Sequence, residues 1–411
     1  VQIGPPQPKK SYLNAAAILE AAICTGAEAI HPGYGFLSED ADFAEACEAA
    51  EIVFVGPPAL TVERLGSKIS ARALMAKAGL PLLPGSLDVL DVDDALQLAG
   101  QIGFPVIVKA SAGGGGRGMR VIDGPDGFTE AYRETRSTAL MLFGDGRVYL
   151  EKYLRAARHV EIQILCDGHG NAIYLGARDC SVQRRHQKLV EESPAPGLSG
   201  ALLAEMGQAV RRGALSAGYE GAGTFEFLLA PDGAYFFMEV NCRIQVEHPV
   251  TEMVTGIDIV QEQLRIAAGE PLRIGQSDVQ PRGVAIECRI NAEDPGRDFA
   301  PTVGTVHEFV PAAGPFVRVD THVRSGDAIP PDYDSLLAKL IVWAPDREGA
   351  IARMRRALNE FRITGDNLST TREFLLDVID HPRFRAASHS TSLVEEMLAG
   401  IDADVPGGHL T

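Results

Sequence analysis

Residues 224–248 read TFEFLLAPDGAYFFMEVNCRIQVEH. Two apolar runs, Thr224–Leu229 and Ala234–Asn241, flank Ala-Pro-Asp-Gly, and Asp-Gly between apolar runs predicts an antiparallel hairpin. Each run carries one glutamate, Glu226 and Glu239, in apolar surroundings. A carboxylate buried without a partner costs several kcal/mol. A divalent cation supplies such a partner, and Asn241, two residues past Glu239 on the same strand face, adds a third hard oxygen. The trio suits magnesium or manganese shared with nucleotide phosphates; the competing reading is two carboxylates held by arginines in a structural network. Beyond Asn241 polar and apolar residues keep alternating, so an extended chain projects Glu239, Asn241, Arg243, Gln245 and Glu247 onto one surface. On that surface Glu247 reads as a general base beside an anion clamp, Arg243. A solvated edge strand also alternates, but rarely with so apolar an opposite face.

Upstream, KASAGGGGRGMR (Lys109–Arg120) lies between two strand-like runs, Ile102–Lys109 and Met119–Ile122. Gly113, Gly115 and Gly118 satisfy GxGxxG, yet no helix follows, so a dinucleotide fold is rejected. No Gly-Lys-Ser/Thr ends the run, and the lysine precedes the loop, which excludes the Walker and kinase arrangements. A mobile hairpin is left, whose bare N–H groups close over triphosphate oxygens while Lys109 neutralises their charge. The alternative is a flexible linker. Gln183–Lys188 (QRRHQK) concentrates positive charge after a strand-like run, Asn171–Arg178, and reads as a phosphate or oxyanion pocket or as an exposed basic turn. Arg289 follows Glu287 on one side of a predicted strand, which taken alone is equally a surface ion pair.

The chain has 411 residues, enough for two or three cores. Acidic residues outnumber basic ones 55 to 38, for a net charge of −17, and no block of Lys or Arg offers a nucleic-acid or lipid surface. The six cysteines are scattered without a CxxC pair, as suits a reducing, cytoplasmic setting. No run approaches the roughly 18 apolar residues of a membrane span. The opening reads helix (Ser11–Thr25), strand (Ala27–Ile30), helix (Glu39–Ala50), strand (Ile52–Gly56). Doubly wound α/β units open on a buried strand, so a preceding βαβ piece is expected. Between these elements His31–Glu39 reads as a glycine turn with Ser38 as a helix cap. Prolines at 57, 58, 81 and 84 bracket a helical stretch, Ser67–Ala78, that reads as a connector.

Nine segments in series resemble biotin carboxylase, the ATP-grasp subunit or domain of biotin-dependent carboxylases. They are GSKISA around Lys68, the glycine run, EKYL (151–154), RHVEIQ (158–163), RDCSVQRRHQK (178–188), GAGTFEF (221–227), MEVNCRIQVEHPVTEM (238–253), ECRINAEDP (287–295) and PPDYDSLLAKLI (330–341). The resemblance implies an α/β and α+β ATP-grasp fold. Its parts are a partial amino-terminal lobe (1–55), a connector (56–82), a mobile glycine-loop lid (83–153), a body with the carboxy-terminal domain (154–398) and a tail (399–411). It implies that Lys68, Lys109, Gly115, Gly116, His159, Gln183 and His186 contact ATP, with Glu151, Lys152, Tyr153 and Leu154 at the adenine hinge. Glu226 and Glu239 would reach ATP through two Mg²⁺ or Mn²⁺ ions that they hold with Asn241. Lys188, Arg243 and Val246 would seat bicarbonate, Glu247 would remove its proton, and Arg289 would face the ureido ring of biotin.

The activity so implied makes carboxyphosphate from bicarbonate and ATP and passes its CO₂ to biotin on a carrier protein. A carboxyltransferase then delivers it to acetyl-CoA or another acyl-CoA, with pyruvate as an alternative acceptor. Met-Lys-Met, where carriers of this family attach biotin, is absent, so biotin is expected as a substrate on another chain or extension rather than bound covalently here. A homodimer is expected, with no nucleic acid and no membrane. Cys242 and Ser193 depart from residues common in the family, and Ile351, Met354, Leu358 and Phe361, at helical spacing, are expected in a core. A carbamoyl-phosphate-type ligase would share the loop and the metal pair but not RIQVEHP joined to a later ECRINAED. A nucleotide-sensing module would keep the loop and could lose the base.

Overall fold

The computed structural model describes residues 1–86, 90–111 and 117–400; Gly113, Gly115 and Gly116 of the glycine run lie outside the described residues. The chain opens with helix Ala15–Thr25, which starts where Asn14 accepts from the Ala17 amide and stops at Gly26, whose φ of 69° a side chain rarely adopts. Strands β1 (Ala29–Ile30) and β2 (Val53–Phe54) pair in parallel around helix Ala41–Ala49. Phe43, Ala44, Cys47 and Phe54 bury a small core between them.

The expected connector holds two helices, Ala59–Gly66 and Lys68–Lys77, because Ser67 ends the first and caps the second. Val62, Leu65, Ala71 and Met75 pack into one core with Phe225, Phe227 and Phe237. The segment is therefore part of the body's packing, and it fixes Lys68 beside the predicted hairpin.

A three-stranded antiparallel sheet follows, in the order β4 (Met119–Ile122), β3 (Val106–Ala110), β5 (Val148–Lys152). The run Ile102–Lys109 is not all strand, since helix Val92–Ile102 continues to Ile102 and Gly103, at φ 75°, breaks it. That helix and Phe128–Phe143 cover one sheet face, with Val106, Val108, Phe128, Tyr132 and Leu150 between them. Period two then leaves Lys109 on the other face from Val108.

The body is built on β6 (Arg158–Cys166), β7 (Ala172–Arg184), β8 (Gln187–Ser193), β9 (Gly221–Leu229), β10 (Tyr235–Asn241) and β11 (Val284–Asn291). Then come β12 (Glu293–Asp294), β13 (Ala300–Pro301), β14 (Gly304–Val310), β15 (Val317–Thr321), β16 (Ala328–Ile329), β17 (Leu336–Ala344) and β18 (Arg362–Gly365). Eight of these form one sheet in the order β10-β9-β6-β7-β8-β11-β17-β15. Helix Gly200–Ala217 packs Met206, Val210 and Ala214 on Ile162, Phe225 and Phe237, whereas Ile259 and Ile266 of helix Ile259–Ala267 meet Leu165 and Leu175. A second core lies farther along the same sheet, where Met354, Leu358 and Phe361 join Leu375, Val378, Ile286 and Leu340, as the helical spacing predicted for the first three. Among the described residues no helix is long and apolar enough to cross a membrane.

Candidate active site

The predicted hairpin forms, with one refinement that matters. Phe237 pairs with Phe227 and Glu239 with Glu226, so Met238 is an extra residue bulged out of β10. The bulge brings the two glutamates directly opposite each other. Side chains so paired have Cβ atoms about 5 Å apart. Glu226 is 5% exposed. Its Oε1 accepts from Asn241 Nδ2 at 2.8 Å and Lys188 Nζ at 3.0 Å, and its Oε2 pairs with His159 Nε2 at 3.0 Å. Burial alone would push the Glu226 carboxyl up, but Lys188 and His159 outweigh it and hold the group well below the usual carboxylate range. Burial likewise opposes charge on His159, and Glu226 prevails, raising that imidazole above its ordinary value.

Glu239 differs from the apolar setting that its strand predicted. Its side chain is 31% exposed and meets Lys68 Nζ at 2.9 Å. Protein amines therefore answer both carboxylates, and a metal is not required merely to make their burial tolerable. The trio nevertheless fits a hard divalent ion: Glu226, Glu239 and Asn241 offer carboxylate and amide oxygens on one face, with flexible lysines as the cations already there.

The strand does not continue to Glu247. β10 ends at Asn241, and a turn leads into helix His248–Thr255, with Glu247 at its N-cap position. Asn241, Arg243 and Gln245 still converge on Glu226, because Arg243 folds back rather than because the backbone is pleated, and Glu247 joins them through Lys188. Arg243 Nη2 donates to Asn241 Oδ1 at 3.1 Å and its Nη1 to Gln245 Oε1 at 3.0 Å, while Gln245 Nε2 reaches Glu226 Oε1 at 3.4 Å. The carboxylate facing Arg243 is Glu39, at 2.9 Å, and not Glu247. Glu39 also accepts from the Cys242 amide at 2.8 Å, so the stretch read as a glycine turn ends in a residue that orients the clamp.

Glu247 is fully buried, with Lys188 Nζ 2.6 Å from Oε1 and Arg289 Nη2 3.0 Å from Oε2. Burial opposes its charge, and Lys188, Arg289 and Arg178 overcome that, so its carboxyl lies well below the ordinary range. Lys188 also contacts Glu161 at 2.6 Å, so one ammonium serves three carboxylates. Burial opposes charge on Lys188, and the adjoining Cys180 together with those carboxylates holds it well above its ordinary value. Glu161 is itself paired with the buried Arg178, whose Nη1 donates to Gln163 at 2.8 Å and to Thr251 at 2.9 Å. Arg289 on β11 donates through Nε to Glu191 Oε1 at 2.6 Å. The Val246 carbonyl accepts from Lys339 Nζ at 2.9 Å. Sequence alone missed Glu39, Glu161, Arg178, Glu191 and Lys339.

Across the cleft, Glu151 on β5 is 2% exposed and held between Arg72 and Lys109 Nζ, the latter at 2.6 Å. The Lys152 ammonium donates to the carbonyls of Gly103 and Phe104, both at 3.0 Å, and the Tyr153 amide donates to Pro105. These bonds pin the 151–154 segment, with Leu154 half-buried at its end, where the small sheet leads into β6. Of the basic run 183–188, Arg184, buried at the end of β7, and the exposed Arg185 are both committed to Asp298, at 2.5 and 2.9 Å, so the exposed-turn alternative describes Arg185 and not Arg184. His186 stands exposed at the hairpin tip with φ 66°, Gln183 is buried near the end of β7, and Lys188 enters the charged cluster.

Three family descriptions match in succession: biotin carboxylase, N-terminal domain (residues 1–62), carbamoyl-phosphate synthase L chain, ATP binding domain (67–275) and biotin carboxylase C-terminal domain (287–396). The biotin carboxylase of Nostoc sp. is 52% identical over 398 residues, covering 97% of this chain and 89% of that protein. A pyruvate carboxylase subunit of Methanothermobacter thermautotrophicus is 49% identical, covering 98% and 82%. Among solved structures, the biotin carboxylase domain dimer of Hydrogenobacter thermophilus 2-oxoglutarate carboxylase, in complex with MgADP, ADP and bicarbonate, superposes with a TM-score of 0.93 at 45% identity, over 98% of this chain and 88% of that one. The β-γ-ATP complex of Campylobacter jejuni biotin carboxylase gives 0.91 at 44% identity, over 94% and 86%. With its ATP-grasp fold and this cleft, the chain belongs to the biotin carboxylase family, enzymes that carboxylate biotin with ATP.

Proposed function

We propose that this chain carboxylates biotin carried by a separate carrier protein or domain, as the first half-reaction of a biotin-dependent carboxylase. Lys68, Lys109, His159, Gln183 and His186, with the loop at Gly115 and Gly116, bind ATP against the hinge of Glu151, Lys152, Tyr153 and Leu154. Glu226, Glu239 and Asn241 hold Mg²⁺ or Mn²⁺ at two sites. The ions would offset the negative charge of the phosphate oxygens. Bicarbonate sits at Lys188, Arg243 and Val246. An arriving anion draws Lys188 and Arg289 partly away from Glu247, whose carboxylate regains basicity and takes the bicarbonate proton. Bicarbonate oxygen then attacks the γ-phosphate to give carboxyphosphate and ADP. Closure of the lid (83–153) excludes water from that labile anhydride. Carboxyphosphate breaks down to CO₂ and phosphate, and phosphate takes the N1′ proton of biotin. Arg289 stabilises the ureido anion as its charge develops, and that anion attacks CO₂.

The observation that carries this reading is Glu247, sealed between Lys188 and Arg289 while Lys188 also touches the Glu226 end of the cleft. Bicarbonate-dependent ATP hydrolysis stimulated by biotin, slow with free biotin and faster with carrier-bound biotin, is the expected result. Equal rates on both would remove the carrier from the proposal. A carboxyltransferase completes the reaction. Acetyl-CoA or another acyl-CoA is the acceptor we assign, and copurified partner chains test it against pyruvate and 2-oxoglutarate, the acceptors in relatives' names. The dimer of the Hydrogenobacter domain supports a homodimer here, and six free cysteines suit a reducing cytoplasm.

A further inference from the structure

Glu287 and Glu191 are directly opposed across β11 and β8. Both are 0% exposed. Neither oxygen of Glu287 has a hydrogen-bond partner among the described residues, nor has Oε2 of Glu191. Glu191 Oε1 is fully engaged, accepting from Arg289 Nε at 2.6 Å. Three carboxyl oxygens without donors among the described residues thus sit on two directly paired residues in a buried interior, where two bare carboxylates would repel and Glu287 would have no donor at all. The nearby cations do not relieve this. Arg289 is shared between Glu191 and Glu247, Lys188 serves Glu161, Glu226 and Glu247, and the Lys339 ammonium is committed to the Val246 carbonyl at 2.9 Å and Asp320 at 3.5 Å. One proton resolves the geometry.

We propose that Glu287 and Glu191 share a single proton, the Glu287 hydroxyl donating to Glu191 Oε2, and that this pair positions Arg289 for the biotin half of the reaction. The pair restrains Glu191, Glu191 grips the Nε edge of Arg289, and the far edge of the same guanidinium holds Glu247. The proton also draws charge from Glu191, so Arg289 keeps more of its positive field for a developing ureido anion. No proton is gained or lost by the pair in turnover. Burial pushes Glu191 up to about 7 and Glu287 well above the ordinary range; Glu191 further raises Glu287, Glu247 raises both, and Arg289, with Lys188 at Glu191 and Lys339 at Glu287, opposes, in keeping with a shared proton. Glu287 and Glu191 are positioning residues, since neither touches a reacting atom. The role assigned to Arg289 rests on the function proposed above.

Infrared difference spectra of the full chain at neutral pH should contain the C=O band of a buried protonated carboxyl that E287Q abolishes. E287M, which fills the space without a donor, should lower kcat for biotin-stimulated ATP hydrolysis about 10- to 100-fold with KM for ATP unchanged. E287Q, a neutral donor of similar shape, should recover most of that loss. A wild-type spectrum without the band, or E287M turning over as fast as E287Q, would overturn the shared proton. Normal biotin carboxylation by R289K would instead overturn the role of Arg289, and the positioning role with it, while the band still reported the proton.

Discussion

Glutamates stand directly opposite one another at three places in one sheet, Glu226 with both Glu239 and Glu161 and Glu191 with Glu287, and the Glu226–Glu239 and Glu191–Glu287 pairs contrast most. In the first, Lys68, Lys188 and His159 reach the carboxylates, and Glu239 keeps 31% of its side chain exposed. In the second, both members are sealed and three oxygens have no donor among the described residues. The same residue pairing thus has two outcomes. Where donors and an opening are present, protein cations meet the pair and, in the proposed function, give way to divalent ions. Without them a proton is the only counter-charge small enough to enter. Glu247 joins the two regions, touching Lys188 on one side and Arg289 on the other.

Cutting that joint should have the largest effect. E247Q should lower bicarbonate-dependent ATP hydrolysis about 10²- to 10⁴-fold, with ATP still bound by equilibrium titration, and unchanged turnover would remove the general base. E226Q should follow, at about 10²- to 10³-fold in kcat, with a weaker dependence of rate on Mg²⁺; an unaltered Mg²⁺ dependence would break the contrast between the pairs.

The pairs should also differ in sign with pH. Glu226 and Glu247 are held below their ordinary 4.5, so the stability they contribute is present above that value and is lost as pH falls below it. Glu191 and Glu287 are raised, so the folded chain keeps protons that the unfolded chain releases, and stability declines as pH rises from 4.5 towards about 7. E287Q should flatten that decline. Its Tm relative to wild type should improve between about pH 5.5 and about pH 8, and parallel Tm curves would count against the second pair. The smallest effect is expected at an exposed ion pair, Arg155–Asp123, where D123N should change unfolding free energy by less than about 1 kcal/mol in denaturant titration.

Much of the first pair was legible in the sequence. Asp-Gly between apolar runs specified the hairpin, and two lone glutamates with Asn241 two residues on specified the face. The bulge at Met238 was not legible, because a one-residue insertion leaves no mark in a run of apolar residues. The convergence on Glu247 was anticipated through the wrong geometry. Alternation suggested a continuing strand, whereas a turn, the fold-back of Arg243 onto Asn241 and Gln245, and the Lys188 ammonium between Glu226 and Glu247 bring the groups together. Glu39, Glu161, Glu191 and Lys339 escaped notice because their partners are remote in sequence: Glu39 meets Arg243 204 residues away, and Glu191 meets Arg289 98 residues away. The basic run 183–188 shows the converse, since three cations within five residues looked alike and only the pairing of Arg184 and Arg185 with Asp298 separates them from Lys188.

The central claim is that Glu226 and Glu239 take up divalent ions together with the nucleotide. Anomalous diffraction from crystals soaked with Mn²⁺ and a non-hydrolysable ATP analogue addresses it most directly. Manganese between the two carboxylates, about 2.1 Å from their oxygens and in contact with phosphate, is the predicted result. Bound nucleotide with Lys68 and Lys188 still on those carboxylates, and no anomalous peak between them, would contradict it.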